Sequence, residues 1–279
     1  MSQTDQGHLL AVAVGNTRTR FGIFHGDELE DPVSLSNSDP KALAQAILKA
    51  AESEHGVSIV IATVNPPVAE ALQHALEDAG QEQVYRIGRE IQIPMQHTLQ
   101  DASTLGQDRI LCAFGAYARA KQACVIVDAG TAVTVDFVDG EGIFHGGIIA
   151  PGAQMMLDAL HEKTAQLPKL EFKNAPAPPA DSENDDAESS PPFGTSTSDA
   201  MLRGVSNTIR GLVQHTVEKY AEFFGSYPQV VATGGDAAPL FGDEATAGGI
   251  VESIVPDLQL IGILEVCKAV EEMDAAGSE

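Results

Sequence analysis

Two stretches of this chain repeat one pattern, LLAVAVGNTRTRFGIF from Leu9 to Phe24 and ACVIVDAGTAVTVDFV from Ala123 to Val138. Each is an apolar strand that breaks at a Gly-Thr turn and resumes as a strand. Glycine lets such a turn bring backbone N–H groups against an anion, and the threonine adds a hydroxyl donor. Two copies therefore point to a phosphate clamp, with a nucleotide held between two similar domains. The copies differ at one place. Asp128 stands two residues before Gly130, whereas Ala13 stands two residues before Gly15.

A length of 279 residues allows two cores, and the expected division is 1–118 and 119–279. The composition, 43% hydrophobic with 26 glycines and no tryptophan, is that of a globular chain, and no apolar run approaches a membrane span. The polar start MSQTDQGHLL lacks a secretory pattern, so a cytoplasmic location is expected. Cys112, Cys124 and Cys267 are odd in number and far apart, which fits small buried hydrophobes better than a disulfide framework or a zinc site. The formal net charge of −24 argues against nucleic acid or an anionic membrane as partner. With only 16 Lys and Arg, an anionic substrate must be met by a few of Arg18, Arg20, Arg109 and Arg203, or by metal ions.

The coarse order of elements is mixed α/β. A strand meander closes near His25-Gly26-Asp27 and precedes a helix over 40–54, a buried strand over Val57–Val64, a helix over Val68–Ala79 and a short strand over Gln83–Ile87. A helix from about Asp108 to Lys121 leads into the second repeat. There follow strands over 124–129 and 132–138, a hairpin at Asp139-Gly140, glycine-rich segments at 145–147 and 150–152, and a helix over Ala153–Thr164. Residues 172–192 are Pro-rich with five acidic residues from Asp181 to Glu188, and read as a disordered surface loop. Helix 201–224 carries an apolar stripe (Val205, Ile209, Val213, Val217, Tyr220, Phe224) suited to core or interface packing. A strand over Gln229–Thr233, the turn Gly234-Gly235-Asp236 and a helix over Leu258–Met273 complete the chain.

Three glycine turns, at Gly15, Gly130 and Gly234, each follow a predicted strand. In this order they resemble the actin, Hsp70 and sugar-kinase superfamily, in which two RNase H-like domains close on ATP. Between the repeats, Gly106-Gln107-Asp108-Arg109 precedes an apolar helix. Asp108 could be a helix N-cap. At a domain junction it could instead take the proton of a substrate hydroxyl, with Arg109 holding an anionic group.

Over almost its full length the chain resembles type III pantothenate kinases. The resemblance lies in GNTRTRFGIF, LGQDR, VDAGTAVTVDFVD, GGIIAPG, KTAQLP, GTSTSDAMLRG, VATGGDAAPL and PDLQLIGI. It implies ATP-dependent phosphorylation of pantothenate at the first step of coenzyme A synthesis, by a homodimer. Carried over, it makes Gly106, Gln107, Asp108 and Arg109 a pantothenate-contacting loop, with Asp108 as proton acceptor and Thr197 as a further contact. Ala13, Val14, Gly15, Asn16, Thr17, Arg18, Thr19 and Arg20, together with Thr131, would meet ATP and its Mg²⁺. Asp128 would ligate K⁺ or NH₄⁺. The stripe on helix 201–224 becomes a candidate for the subunit contact.

Two positions depart from the family pattern. Ala13 replaces the aspartate that opens the first turn, and Leu99 stands where many members have a substrate-binding tyrosine, with His97 nearby. The alternative to an active kinase is a weakened relative that binds ligand or regulates through protein contacts.

Overall fold

The first repeat becomes the centre of a five-stranded sheet. In the computed structural model, which describes residues 8–52, 56–172, 193–242 and 249–277, β1 (Leu9–Val14) pairs antiparallel with β2 (Arg18–His25), and β2 pairs antiparallel with β3 (Glu28–Ser36). Helix α1 (Pro40–Glu52) crosses to β4 (Ser58–Thr63), which is parallel to β1, and α2 (Pro66–Asp78) crosses to β5 (Val84–Arg86), parallel to β4. The order is β3-β2-β1-β4-β5. All six residues of β1 are buried. A strand sends alternate side chains to opposite faces, so β1 must be covered on both. Leu10, Val12 and Val14 pack with Leu43 and Ile47 of α1 and Leu72 and Leu76 of α2. Pro at the start of α2 suits a first helical turn, where the missing N–H costs nothing. Helix α3 (Gln107–Ala120) ends this part of the chain.

The second repeat builds a sheet of the same order. Strands β6 (Cys124–Ala129), β7 (Ala132–Val138) and β8 (Phe144–Pro151) form the antiparallel meander. Helices α4 (Ala153–Glu162) and α5 (Thr197–Phe224) precede β9 (Gln229–Thr233), parallel to β6, and α6 (Ala237–Phe241) precedes β10 (Ser253–Ile254), parallel to β9. The order β8-β7-β6-β9-β10 repeats that of the first sheet, strand for strand. Val125, Val127 and Ala129 of β6 meet Val205, Ile209, Val213 and Val217 of α5 in one core.

The last helix, α7 (Leu258–Gly277), returns to β1 and β2. Residues Met1–Arg119 with Asp257–Glu279 form one unit and Ala120–Pro256 the other. Residues 257–279, expected with the second domain, thus belong with the first. Leu258, Leu260, Ile263 and Val266 among them are buried, whereas Met273 near the end of α7 is exposed.

Other expectations are sharpened or change. The segments 145–147 and 150–152, expected as glycine-rich with no element assigned, lie in and just after strand β8. Its glycines serve the pairing, since a Cβ on Gly147 would lie 2.1 Å from the Val135 carbonyl oxygen. Of the stripe on helix 201–224, Val205, Ile209, Val213 and Val217 face their own sheet at 4% exposure or less and are core, whereas Tyr220 is half-buried and Phe224 is 37% exposed. Phe172, taken as the start of the acidic loop, is 2% exposed and packs in the second core. The remainder of that loop, 173–192, lies outside the described residues. Cys112 and Cys124 are buried and Cys267 is half-buried, and none of the three forms a disulfide. Among the described residues, no helix is long and apolar enough to cross a membrane.

Candidate functional site

Ligands of open sheets with parallel strands gather beyond the carboxyl ends of those strands, and most of the sequence-predicted residues stand there. In the first unit, the turn from Gly15 to Arg18 closes with Gly15 N–H donating to the Arg18 carbonyl at 2.9 Å. Side-chain amides from elsewhere brace it. Asn37, just after β3, donates to the Gly15 carbonyl at 2.8 Å and accepts from the Thr19 hydroxyl at 2.8 Å, while its own N–H reaches the Thr17 carbonyl. Asn65, just after β4, donates to the Asn16 carbonyl at 3.2 Å. Asn16, Thr17 and Arg18 remain exposed, so a tip carrying polar side chains is held on a fixed base.

Arg18 and Arg20 are both engaged within this unit. Arg18 donates to the Ser34 hydroxyl and carbonyl on β3, at 3.0 and 2.7 Å. Arg20 forms an ion pair with Asp257, the residue before α7. Ala13 is 3% exposed and lies in register with Arg20 on one side and Ala62 on the other.

The loop from Gly106 to Arg109 adjoins the ends of β1, β4 and β5. Gln107 ties it down: its side chain accepts from Thr63 N–H at 3.1 Å and donates to the Ile87 carbonyl at 2.9 Å. The Val64 N–H bonds the Val14 carbonyl at 3.0 Å, and Val64 also lies 3.8 Å from where a Gly106 Cβ would stand. Helix α3 starts at Gln107, so Asp108 occupies its first turn and is not the residue before it. Its Oδ1 accepts from Arg109 N–H at 2.9 Å. That oxygen lies 2.4 Å from the position of a Gly106 Cβ, so a side chain at 106 would displace the carboxylate. Burial raises the Asp108 pKa above its ordinary 3.8, and the Arg109 N–H and guanidinium charge only partly offset this. A half-buried carboxylate with raised proton affinity, at a helix N-terminus, has the character of a general base. Leu99 is half-buried and His97 exposed.

In the second unit the corresponding turn is built by close backbone approach. Gly130 N–H donates to the Ala132 carbonyl at 3.0 Å, and Gly152 N–H to the Thr131 carbonyl at 3.2 Å. A Cβ on Gly152 would stand 2.1 Å from the Gly130 oxygen. Gly234, at φ +93°, passes over the end of β6, where its Cβ would lie 2.3 Å from the Ala129 oxygen and 2.5 Å from Asp128 Oδ1. Asp128 lies in register between Thr134 of β7 and Thr233 of β9. The Thr134 hydroxyl is buried with no hydrogen-bond partner among the described residues. A carboxylate flanked by hydroxyls, one unsatisfied, is a hard oxygen donor set that fits an alkali or alkaline-earth cation. Groups of three or more His, Cys, Asp or Glu that could hold a metal are absent among the described residues. Thr131 is exposed at the tip.

Thr197 opens α5, where Ser196 caps the helix by accepting from Asp199 N–H. Thr197 also lines an open groove of about 920 Å³ between α4 and α5, together with Met155, Leu160, Leu167 and Met201. The sequence reading missed Asn37 and Asn65, which follow strands β3 and β4, and Thr63, the last residue of β4, whose strand gives no sign of a role at the site. It also assigned no role to Asp257, although PDLQLIGI had been singled out as a motif.

The family model for type III pantothenate kinases matches residues 9–219. The type III pantothenate kinase of Syntrophotalea carbinolica is 30% identical over 263 residues, covering 91% of this chain and 96% of that protein. That of Dehalococcoides mccartyi strain CBDB1 is 30% identical, covering 91% and 93%. Among solved structures, a conserved putative Baf family transcriptional activator from Campylobacter jejuni has a TM-score of 0.57 at 20% identity, covering 94% of this chain and 99% of that one. MreB5 of Spiroplasma citri has a TM-score of 0.52 at 13% identity, covering 97% and 98%. At these identities the likeness shows fold alone. With the family model spanning most of the sequence and relatives matched nearly end to end, the chain belongs to the type III pantothenate kinase family.

Proposed function

We propose that the chain transfers the γ-phosphoryl group of ATP to the hydroxyl of pantothenate, giving 4'-phosphopantothenate and ADP in the first step of coenzyme A biosynthesis. One observation carries the reading: Asp108, its proton affinity raised by burial, directly follows Gln107, whose side chain is bonded to Thr63 at the carboxyl end of β4, the strand in register with β1. Asp108 takes the hydroxyl proton as the oxygen attacks the γ-phosphorus and the bond to the β–γ bridging oxygen breaks. Positioning and charge neutralisation account for most of such a transfer, and a placed base contributes about 10²–10⁴-fold. Gly106, Gln107, Arg109 and Thr197 hold pantothenate. Residues 13–20 and Thr131 meet ATP, and Asp128 with the Thr134 and Thr233 hydroxyls takes K⁺ or NH₄⁺. Magnesium, bound mainly through the phosphates, supplies charge neutralisation at the transferred group.

The repeated strand order supports a pair of RNase H-like domains. A homodimer is part of the proposal, and the apolar α4–α5 groove, with Met155 at 47% exposure, supports it better than the buried stripe of α5. Location in the cytoplasm, without nucleic-acid or membrane partners, accords with the charge of −24. Ala13 favours a second reading, in which the protein binds pantothenate or nucleotide without turnover. The test is phosphopantothenate formation by the purified protein with ATP, magnesium and potassium. Product that disappears in Asp108→Asn supports the kinase. Pantothenate binding without product supports the second reading.

A further inference from the structure

Arg20 sits directly across the β1–β2 pair from Ala13. Facing residues of an antiparallel pair project from the same side with Cβ atoms about 5 Å apart. Ala13 offers this guanidinium no charge. Arg20 Nε instead donates to Asp257 Oδ1, and the two side chains are 38% and 17% exposed. Asp257 is delivered by packing from the far end of the chain. Its carbonyl accepts Ile261 N–H at 3.0 Å, which fixes it at the head of α7, and α7 lies on β1. A backbone contact locks that helix against α3, since a Cβ on Gly262 would stand 2.2 Å from the Leu111 oxygen and one on Gly115 would stand 2.9 Å from Gly262 Cα. The helix that carries Asp108 and the helix headed by Asp257 are thus held against each other.

We propose that Asp257 is a positioning residue for the first glycine turn, supplying through Arg20 the negative charge that position 13 lacks. Its role in catalysis rests on the phosphoryl-transfer reading; the pairing itself does not. The physical argument is one of mutual exclusion. A carboxylate at 13 would face the guanidinium that Asp257 already holds, and two carboxylates sharing one cation in a half-buried place repel each other. Charge at 257 therefore favours a neutral residue at 13, and loss of charge at 257 makes a carboxylate at 13 acceptable. With Asp257 in place, Arg20 stays on the sheet, β2 keeps its register, and the exposed Asn16–Arg18 tip keeps its position for phosphates.

The test is a double-substitution cycle in the full chain, comparing wild type, Asp257→Asn, Ala13→Asp and the two together. Thermal midpoints are measured without ligand, and affinity for ATP with magnesium by calorimetry. Each single substitution lowers the midpoint and weakens ATP binding about tenfold, and the double variant returns to within about threefold of wild type, because interacting sites are strongly non-additive. Effects that simply add, or an Asp257→Asn protein indistinguishable from wild type, overturn the proposal. Should Ala13→Asp alone fail to fold, Arg20→Met decides. It must reproduce Asp257→Asn and leave that substitution with no further effect, and a further tenfold loss contradicts the pairing. A wild type that binds no ATP breaks the functional reading, and additivity or coupling in the midpoints then decides the pairing by itself.

Discussion

The turns after β1 and β6 occupy the same place in two sheets of one strand order, and they are held by different means. The first is braced by amide side chains from distant segments, Asn37 and Asn65, with Gln107 tying down the adjoining loop. The second is held by glycines packed onto its backbone, Gly152 over Gly130 and Gly234 over Ala129. The charges differ as well. The second unit keeps a carboxylate on its central strand, Asp128, between two threonines. The first has Ala13 there, and brings Asp257 in from outside the repeat to meet Arg20. Repetition of topology leaves the chemistry of each copy free to diverge, because the strand ends fix where side chains can gather and not which ones do.

If the first unit carries the base and the second the cation, their carboxylates should fail in different ways. Asp108→Asn should lower turnover by about 10²–10⁴-fold at every potassium concentration, whereas Asp128→Asn should lose activity that higher potassium partly restores. Since Asp108 has a raised pKa, the folded state binds its proton more tightly than the unfolded state does. Its contribution to stability therefore falls as pH rises from the ordinary value of 3.8 through the raised one. Turnover should rise over that same interval, and the Asn variant should melt no lower than wild type at neutral pH. A pH–rate profile and a melting series in acid read both.

The bracing difference gives the next effects in size. Gly234→Ala, at φ +93° with backbone within 2.3 Å of the new Cβ, should destabilise by about 3 kcal/mol in denaturant melts. The equivalent approach in the first unit is looser. A Cβ on Gly15 would meet only the Arg18 oxygen, at 2.9 Å, and Gly15→Ala should cost about 1–2 kcal/mol. Asn37→Ala removes two side-chain hydrogen bonds of the first turn and should cost about 1–2 kcal/mol. If Gly15→Ala proved worse than Gly234→Ala, the contrast between the two turns would fail. The smallest change is expected for Arg18→Ala, whose exposed contacts to Ser34 should shift stability by about 0.5 kcal/mol or less.

The strands and their turns were legible because apolar runs bounded by glycine leave few alternatives, and most helices were placed within a few residues. Strand β8 was not, since Gly146-Gly147 interrupt the alternation that marks a strand, although the contact with Val135 is what requires a glycine at 147. The placement of α7 was hidden for a different reason. Its apolar residues declare that it is buried, but nothing local says which sheet it covers. Asn37 and Asn65 were illegible because an amide that bonds a distant carbonyl leaves no periodicity or spacing behind. Asp108 could be found, since a carboxylate between glycine and an apolar helix has few readings. Its raised proton affinity depends on burial that only the fold supplies.

The most direct measurement of the central claim is phosphopantothenate formation from ATP and pantothenate across a potassium titration, run in parallel on wild type, Asp108→Asn and Asp128→Asn. The account predicts product from wild type, almost none from Asp108→Asn at any potassium level, and a displaced potassium requirement for Asp128→Asn. Wild-type rates from Asp108→Asn, or no product from wild type under any condition, would contradict it.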